Sequence, residues 1–195
     1  MRWIAVARRA GAPLGISPGL TRRLGRVLAG LALLAGGLAQ AEPLRAPNVV
    51  VIDPTLVTSG QPDADALARL DAQGFAAVVY LAPPTVPDAV ADEARIVARQ
   101  GLLFANLPIP FDAPTAGHYR DFAGLMRALA PRRVLVHCQI NLRASTMVFL
   151  YRVIERHEDP RAAWAAVAEV WTPSGPWKTL VRKLLQEHGI AFEPM

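Results

Sequence analysis

The sequence predicts an α/β fold: a central, parallel-rich sheet of four to five strands flanked by helices, with a helical C-terminal part. Three observations predict it. Short apolar runs at 49–52, 75–81, 102–107 and 134–136 read as strands and alternate with segments of helical period. Proline or glycine punctuates nearly every junction, among them Gly74, Pro83-Pro84, Gly101 and Pro131. After the last apolar run only helical patterns remain.

Each element has a local reason. Residues 42–48 are a proline-containing lead-in. Val49-Val50-Val51-Ile52 forms a short strand that Asp53-Pro54 turns, and residues 55–58 form a second one before Ser59-Gly60-Gln61-Pro62. Asp63 caps a helix with Asp65 in its first turn, Leu67 and Leu70 on one face, and Gly74 as its stop. The run 75–81 is almost continuously apolar, the pattern of a strand buried on both faces. Pro83-Pro84 and Pro87 break the chain. A helix over 88–100 follows, with Val90, Ala94 and Val97 inward. Residues 102–107 form the next strand, and 108–114 a stiff, proline-laden loop that carries Asp112. Thr115 caps a helix to residue 130, whose Phe122, Leu125, Met126 and Leu129 fall at i, i+3, i+4 and i+7. Pro131 ends it, and a strand runs to Cys138. Helices are expected at 144–157, at 160–171 behind Asp159-Pro160, and at 177–188. Trp164, Trp171 and Trp177 belong to the C-terminal core, and Arg152 and Arg156 to an exposed helix face.

The first 41 residues stand apart. Arg2, Arg8, Arg9, Arg22, Arg23 and Arg26 precede an apolar run over 27–39 that ends in Ala39-Gln40-Ala41. A basic segment, a short apolar segment and an A-x-A site describe a secretory signal peptide; the run is short and rich in Gly and Ala for a membrane span, and an uncleaved anchor is the alternative. Export to the periplasm is therefore expected, with Thr21-Arg22-Arg23-Leu24 a hint of a twin-arginine route. Residues 42–195 are then one domain, expected to be monomeric and not inserted in a membrane. The chain's formal charge of +5 belongs to the leader: six of its 21 Lys and Arg lie there and all 16 Asp and Glu lie beyond it. Without that surplus nothing argues for a nucleic-acid partner.

Cys138 is the only cysteine. It cannot form an internal disulfide, so it is either an inert buried thiol or one kept for chemistry. The surroundings favour chemistry. A strand breaking into a loop and then a helix converges backbone N–H groups and a positive dipole end on one spot, a ready anion site. A thiol there is acidified, and Arg143 can offer a forked donor to an oxyanion. In sheets of this kind ligands lie at the carboxyl ends of the strands, so Cys138 and Asp112 should face one edge. His118, His157 and His188 have no ligand spacing, and no metal or cofactor is expected.

His137-Cys138 with Arg143 and Ser145 resembles the phosphate-binding loop of the cysteine-dependent tyrosine and dual-specificity phosphatases. Thr58-Ser59-Gly60-Gln61-Pro62, followed by a helix and the strand Val78-Val79-Tyr80-Leu81, is similar to bacterial phosphatase-like members of that superfamily, and the likeness extends over residues 49–188. It implies a phosphatase-like fold and a phosphorylated substrate or other small oxyanion as partner. It also implies Cys138 as nucleophile and Arg143 as phosphate clamp. The loop residues Gln139, Ile140, Asn141 and Leu142 would bind substrate, Asp112 would be the general acid, and the Ser145 hydroxyl would help the thiolate leave. His137 would lie buried beneath the loop and orient the cysteine through hydrogen bonds. Asp121 on the following helix competes with Asp112.

The chain departs from that pattern at one point. Four residues separate Cys138 from Arg143 where the family has five, while Ser145 keeps the usual distance. Asn141 stands where the family commonly has Gly, and Asn tolerates positive φ. Either the loop is one residue tighter or the arginine is displaced by one. Four is also the spacing of rhodanese-like sulfurtransferases, although the Gly-rich strand and Ala-Trp helix of those domains do not follow, and Ala163-Trp164 lacks that setting. A phosphatase-fold protein that binds an anion or a partner without turning it over is the remaining alternative.

Overall fold

The computed structural model describes residues 42–194. The signal peptide expected over 1–41 lies outside the described residues.

The apolar runs form five strands of four residues: β1 (Val50–Asp53), β2 (Leu56–Ser59), β3 (Ala77–Tyr80), β4 (Leu103–Asn106) and β5 (Val134–His137). They make one sheet in the order β1-β2-β5-β3-β4. Only the β1–β2 pair is antiparallel, closed by Asp53, whose carboxylate accepts from the Thr55 N–H and hydroxyl at 2.7 Å each. The other three pairings are parallel, as the alternation of strands and helices predicts.

β5 is the central strand, and all four of its residues are buried. Side chains alternate along it. Val134, Val136 and then Cys138 face the larger core, built with α3 (Ala116–Leu129), α4 (Leu142–Ile154), α5 (Pro160–Ala168) and α6 (Gly175–Glu187). Leu135 faces a smaller core with Leu67, Leu70 and Val97, from the side of α1 (Ala64–Leu67) and α2 (Glu93–Ala98). Almost every residue of α4 is buried, which is why its sequence is apolar all round and shows no stripe. Arg152 of α4 is not on an exposed face: its side chain is 13% exposed and donates to Glu158 Oε2 and to the carbonyl of Ala163.

Two expected helices are much shorter. The segment after Asp63 is helical only over α1, although Asp63 caps it by accepting from the Ala66 N–H at 2.7 Å. The helix expected over 88–100 is only α2, because Asp92 takes a left-handed conformation (φ 60) that a helix cannot pass through. Residues 88–92 are thereby left outside the helix, and Glu93 turns inward to 5% exposure.

Candidate active site

The carboxyl ends of β2, β3, β4 and β5 supply four loops, and β5 delivers Cys138 between them. The loop from Cys138 to α4 turns at Asn141, whose φ of 71° is the left-handed geometry its substitution for glycine allows. Asn141 does more than turn. Its Nδ2 donates to the carbonyl of Asn48 at 2.6 Å and to Thr58 Oγ1 at 3.0 Å. Asn48 answers from Nδ2 to the Ile140 carbonyl at 3.0 Å, so the lead-in segment clamps the loop from outside. Gly60 lies between the lead-in and the loop: it donates N–H to the Pro47 carbonyl at 2.6 Å, and its neighbour Gln61 donates N–H to the Gln139 carbonyl at 2.9 Å. A Cβ on Gly60 would stand 2.7 Å from that carbonyl oxygen and 2.8 Å from Pro47 Cβ, so only glycine permits this approach.

With the carbonyls of the loop turned outward to these partners, its N–H groups are left over. Those of Gln139, Ile140, Leu142, Arg143 and Ala144 have no hydrogen-bond partner among the described residues. The last three open α4, where the helix dipole is positive. An array of this kind is able to hold an anion.

Arg143 stands at the entrance of the helix beyond the loop. It is the second residue of α4, is 6% exposed, and reaches back over the loop. Nε donates to the Ile109 carbonyl at 2.9 Å and Nη1 to Gln139 Oε1 at 3.3 Å, while the guanidinium lies over the Phe111 ring at 5.1 Å. Nη2 has no partner among the described residues. Ser145 is buried and donates its hydroxyl to the Leu142 carbonyl at 3.2 Å, and it makes no hydrogen bond to Cys138.

His137 is buried but points away from the thiol, because alternation along the strand sends consecutive residues to opposite faces. It stacks on Tyr80 with ring centroids 4.7 Å apart and brings Nε2 to 2.7 Å from Glu93 Oε1. That approach lies off hydrogen-bond alignment, so the pair is a close polar contact. Glu93 Oε2 accepts from Gln61 Nε2 at 3.0 Å. Burial pushes the Tyr80 phenol up to about 12, helped by the charges of Glu93, Asp88 and Cys138 and opposed by Arg143.

Cys138, fully buried, lies at the floor of a cavity of about 290 Å³ whose other lining residues are Gln139, Ile140, Leu142, Arg143, Phe111 and Asp88. A hollow of about 600 Å³ against α6 is larger, but it contains none of these groups. Four of the five loop residues named from the sequence, Gln139, Ile140, Leu142 and Arg143, therefore line this cavity, and the fifth, Asn141, serves as scaffold behind the wall. Asp112 does not line the cavity. It is exposed on the loop after β4 with no hydrogen bond among the described residues, and Asp121 is exposed on α3. Asp88, Glu93, Gln61 and Asn48 are the residues that sequence reading missed. Only Gln61, inside a motif already noted, carried any local signal. No cluster of three or more metal-ligating side chains occurs among the described residues.

No family model and no curated protein matches the chain. Solved structures do. A candidate phosphatase of the DUF442 group from Shewanella putrefaciens superposes with a TM-score of 0.68 at 23% identity, over 73% of this chain and 94% of that one. Tk-PTP in its active form gives 0.57 at 24% identity, over 72% and 95%. TpbA of P. aeruginosa, in complex with phosphotyrosine, gives 0.58 at 19% identity, over 73% and 90%. The chain thus has the fold of the cysteine-dependent tyrosine and dual-specificity phosphatases.

Proposed function

We propose that this chain is a cysteine-dependent phosphatase that hydrolyses phosphomonoesters through a cysteinyl-phosphate on Cys138. The observation that carries the reading is the convergence, in one cavity, of the only thiol, a guanidinium with a donor to spare and a row of unpartnered N–H groups at a helix start. An oxyanion seated in the cradle would bring phosphorus over the thiolate. Cys138 Sγ then forms a bond to phosphorus as the ester oxygen leaves, and water later cleaves the S–P bond to release inorganic phosphate. The loop N–H groups and Arg143 Nη2 would take the charge on the equatorial oxygens, where fixed donors are worth most. Since the Ser145 hydroxyl is turned to Leu142, the departing thiolate is left to the same N–H array and the α4 dipole. The cavity is small for a ligand pocket, which suits a phosphoryl group with a compact substituent. Phosphotyrosine in TpbA is a phosphomonoester as well.

The four-residue Cys–Arg spacing keeps a second reading alive, an anion-binding protein without turnover. Hydrolysis of p-nitrophenyl phosphate by the purified chain separates the two. We expect turnover in the parent and none above background for Cys138→Ser. Equal rates in both would overturn the nucleophile assignment, and transfer of sulfur from thiosulfate to cyanide would make the loop a rhodanese-like one. By its leader the reading also places the activity outside the cytoplasm, with a mature chain beginning at Glu42.

A further inference from the structure

One carboxylate stands on the wall of the cavity, and it is Asp88. It lies between β3 and α2, in the stretch that Asp92 keeps out of the helix, and it accepts from Gln139 Nε2 at 2.7 Å. Gln139 Oε1 in turn accepts from Arg143 Nη1, so carboxylate, amide and guanidinium form a chain beside the thiol.

The loop carrying Asp112 is fastened elsewhere. The Ile109 N–H donates to the Leu81 carbonyl at 2.9 Å, and the Ile109 carbonyl accepts from Arg143. Trp177 Nε1 donates to the Phe111 carbonyl at 2.8 Å. The Phe111 ring packs against both Trp171 and Trp177 with centroids 5.9 Å away, and against the Arg143 guanidinium. These contacts hold Ile109 and Phe111 in place, while Asp112 itself does not line the cavity and makes no hydrogen bond among the described residues.

We propose that Asp88, and not Asp112, is the general acid. The inference rests on the phosphatase reading. As Cys138 Sγ bonds to phosphorus and the P–O bond breaks, the Asp88 carboxyl gives its proton to the departing oxygen, which leaves as an alcohol. The resulting carboxylate then takes a proton from the water that attacks phosphorus. The S–P bond breaks to return the thiolate, and Asp88 is again protonated.

The test compares the full chain with Asp88→Asn and Asp112→Asn on p-nitrophenyl phosphate, a good leaving group, and phenyl phosphate, a poor one. Asn can still accept the Gln139 bond, so Asp88→Asn keeps the wall in place. Proton donation contributes roughly 10²–10⁴-fold. We expect Asp88→Asn to slow phenyl phosphate by a factor of that order and p-nitrophenyl phosphate far less, while Asp112→Asn changes both rates by one small common factor. The selective loss appearing in Asp112→Asn would overturn the proposal, as would equal slowing of both substrates by Asp88→Asn, the mark of a residue that only orients Gln139. A parent inactive on both substrates defeats the phosphatase reading itself, which sets that failure apart from the other two.

Discussion

Arg143 is asked to do two things at once. Its Nε holds the loop after β4 through the Ile109 carbonyl, and its remaining donors face the cavity. Read from the sequence, Arg143 is a clamp on the oxyanion alone. The structure adds a buried hydrogen bond that substitution would break. Lysine keeps the charge but not the fork. We therefore expect Arg143→Lys and Arg143→Ala each to lose roughly 10²–10³-fold in kcat, by the measure of a lost oxyanion donor. Both should also lose about 1–3 kcal/mol of stability as the Ile109 carbonyl goes unpaired. Steady-state kinetics and thermal melts read the two effects separately, and unchanged melts would mean the Ile109 bond carries nothing. Cys138, Arg143 and the loop between them are legible in the sequence because they are neighbours in it. Asp88 and Glu93 are not. Their partners Gln139 and His137 lie more than forty positions away, and no local pattern marks a contact of that range.

The loop from Cys138 to α4 owes its shape to two other elements. Asn141 supplies the left-handed turn, and its amide ties the loop to the lead-in and to β2. Asn141→Gly keeps the turn and loses the ties, at a cost of about 1–2 kcal/mol. Asn141→Ala loses both and adds about 1–2 kcal/mol for the left-handed conformation. Urea unfolding orders the three proteins, and an alanine variant as stable as the glycine one would contradict the account. The turn was visible in the sequence from the residue type standing where the family has Gly. The ties were not, because the lead-in carries no pattern beyond a proline. Helix lengths were misread for a related reason: α2 is cut short by the conformation of one residue, Asp92, while the periodicity around it continues. Substituting Gly60 by Ala tests the packing of the same loop, since the new Cβ meets backbone that cannot swing aside.

Across the molecule, the sheet and its two helical layers follow from patterning: continuous apolar runs make buried parallel strands, and alternation along β5 sends Cys138 to one core and His137 toward the other. Strand order was beyond reach, since it is decided by packing between segments far apart in sequence. The same burial governs alkaline behaviour. Burial raises the phenol of Tyr80 to about 12 and that of Tyr119 well above its ordinary value. Both are neutral when protonated, so the unfolded chain ionises first. Folding is untouched below about pH 10 and weakens as pH rises from there toward 12. Melting temperatures should fall over that interval, and less steeply for Tyr80→Phe.

The measurement closest to the central claim is mass spectrometry of the full chain quenched in acid during turnover of p-nitrophenyl phosphate. The account predicts one phosphoryl group on the peptide that contains Cys138, absent from Cys138→Ser. Sustained release of inorganic phosphate with no such adduct under any quench time, or an adduct on another residue, would contradict it.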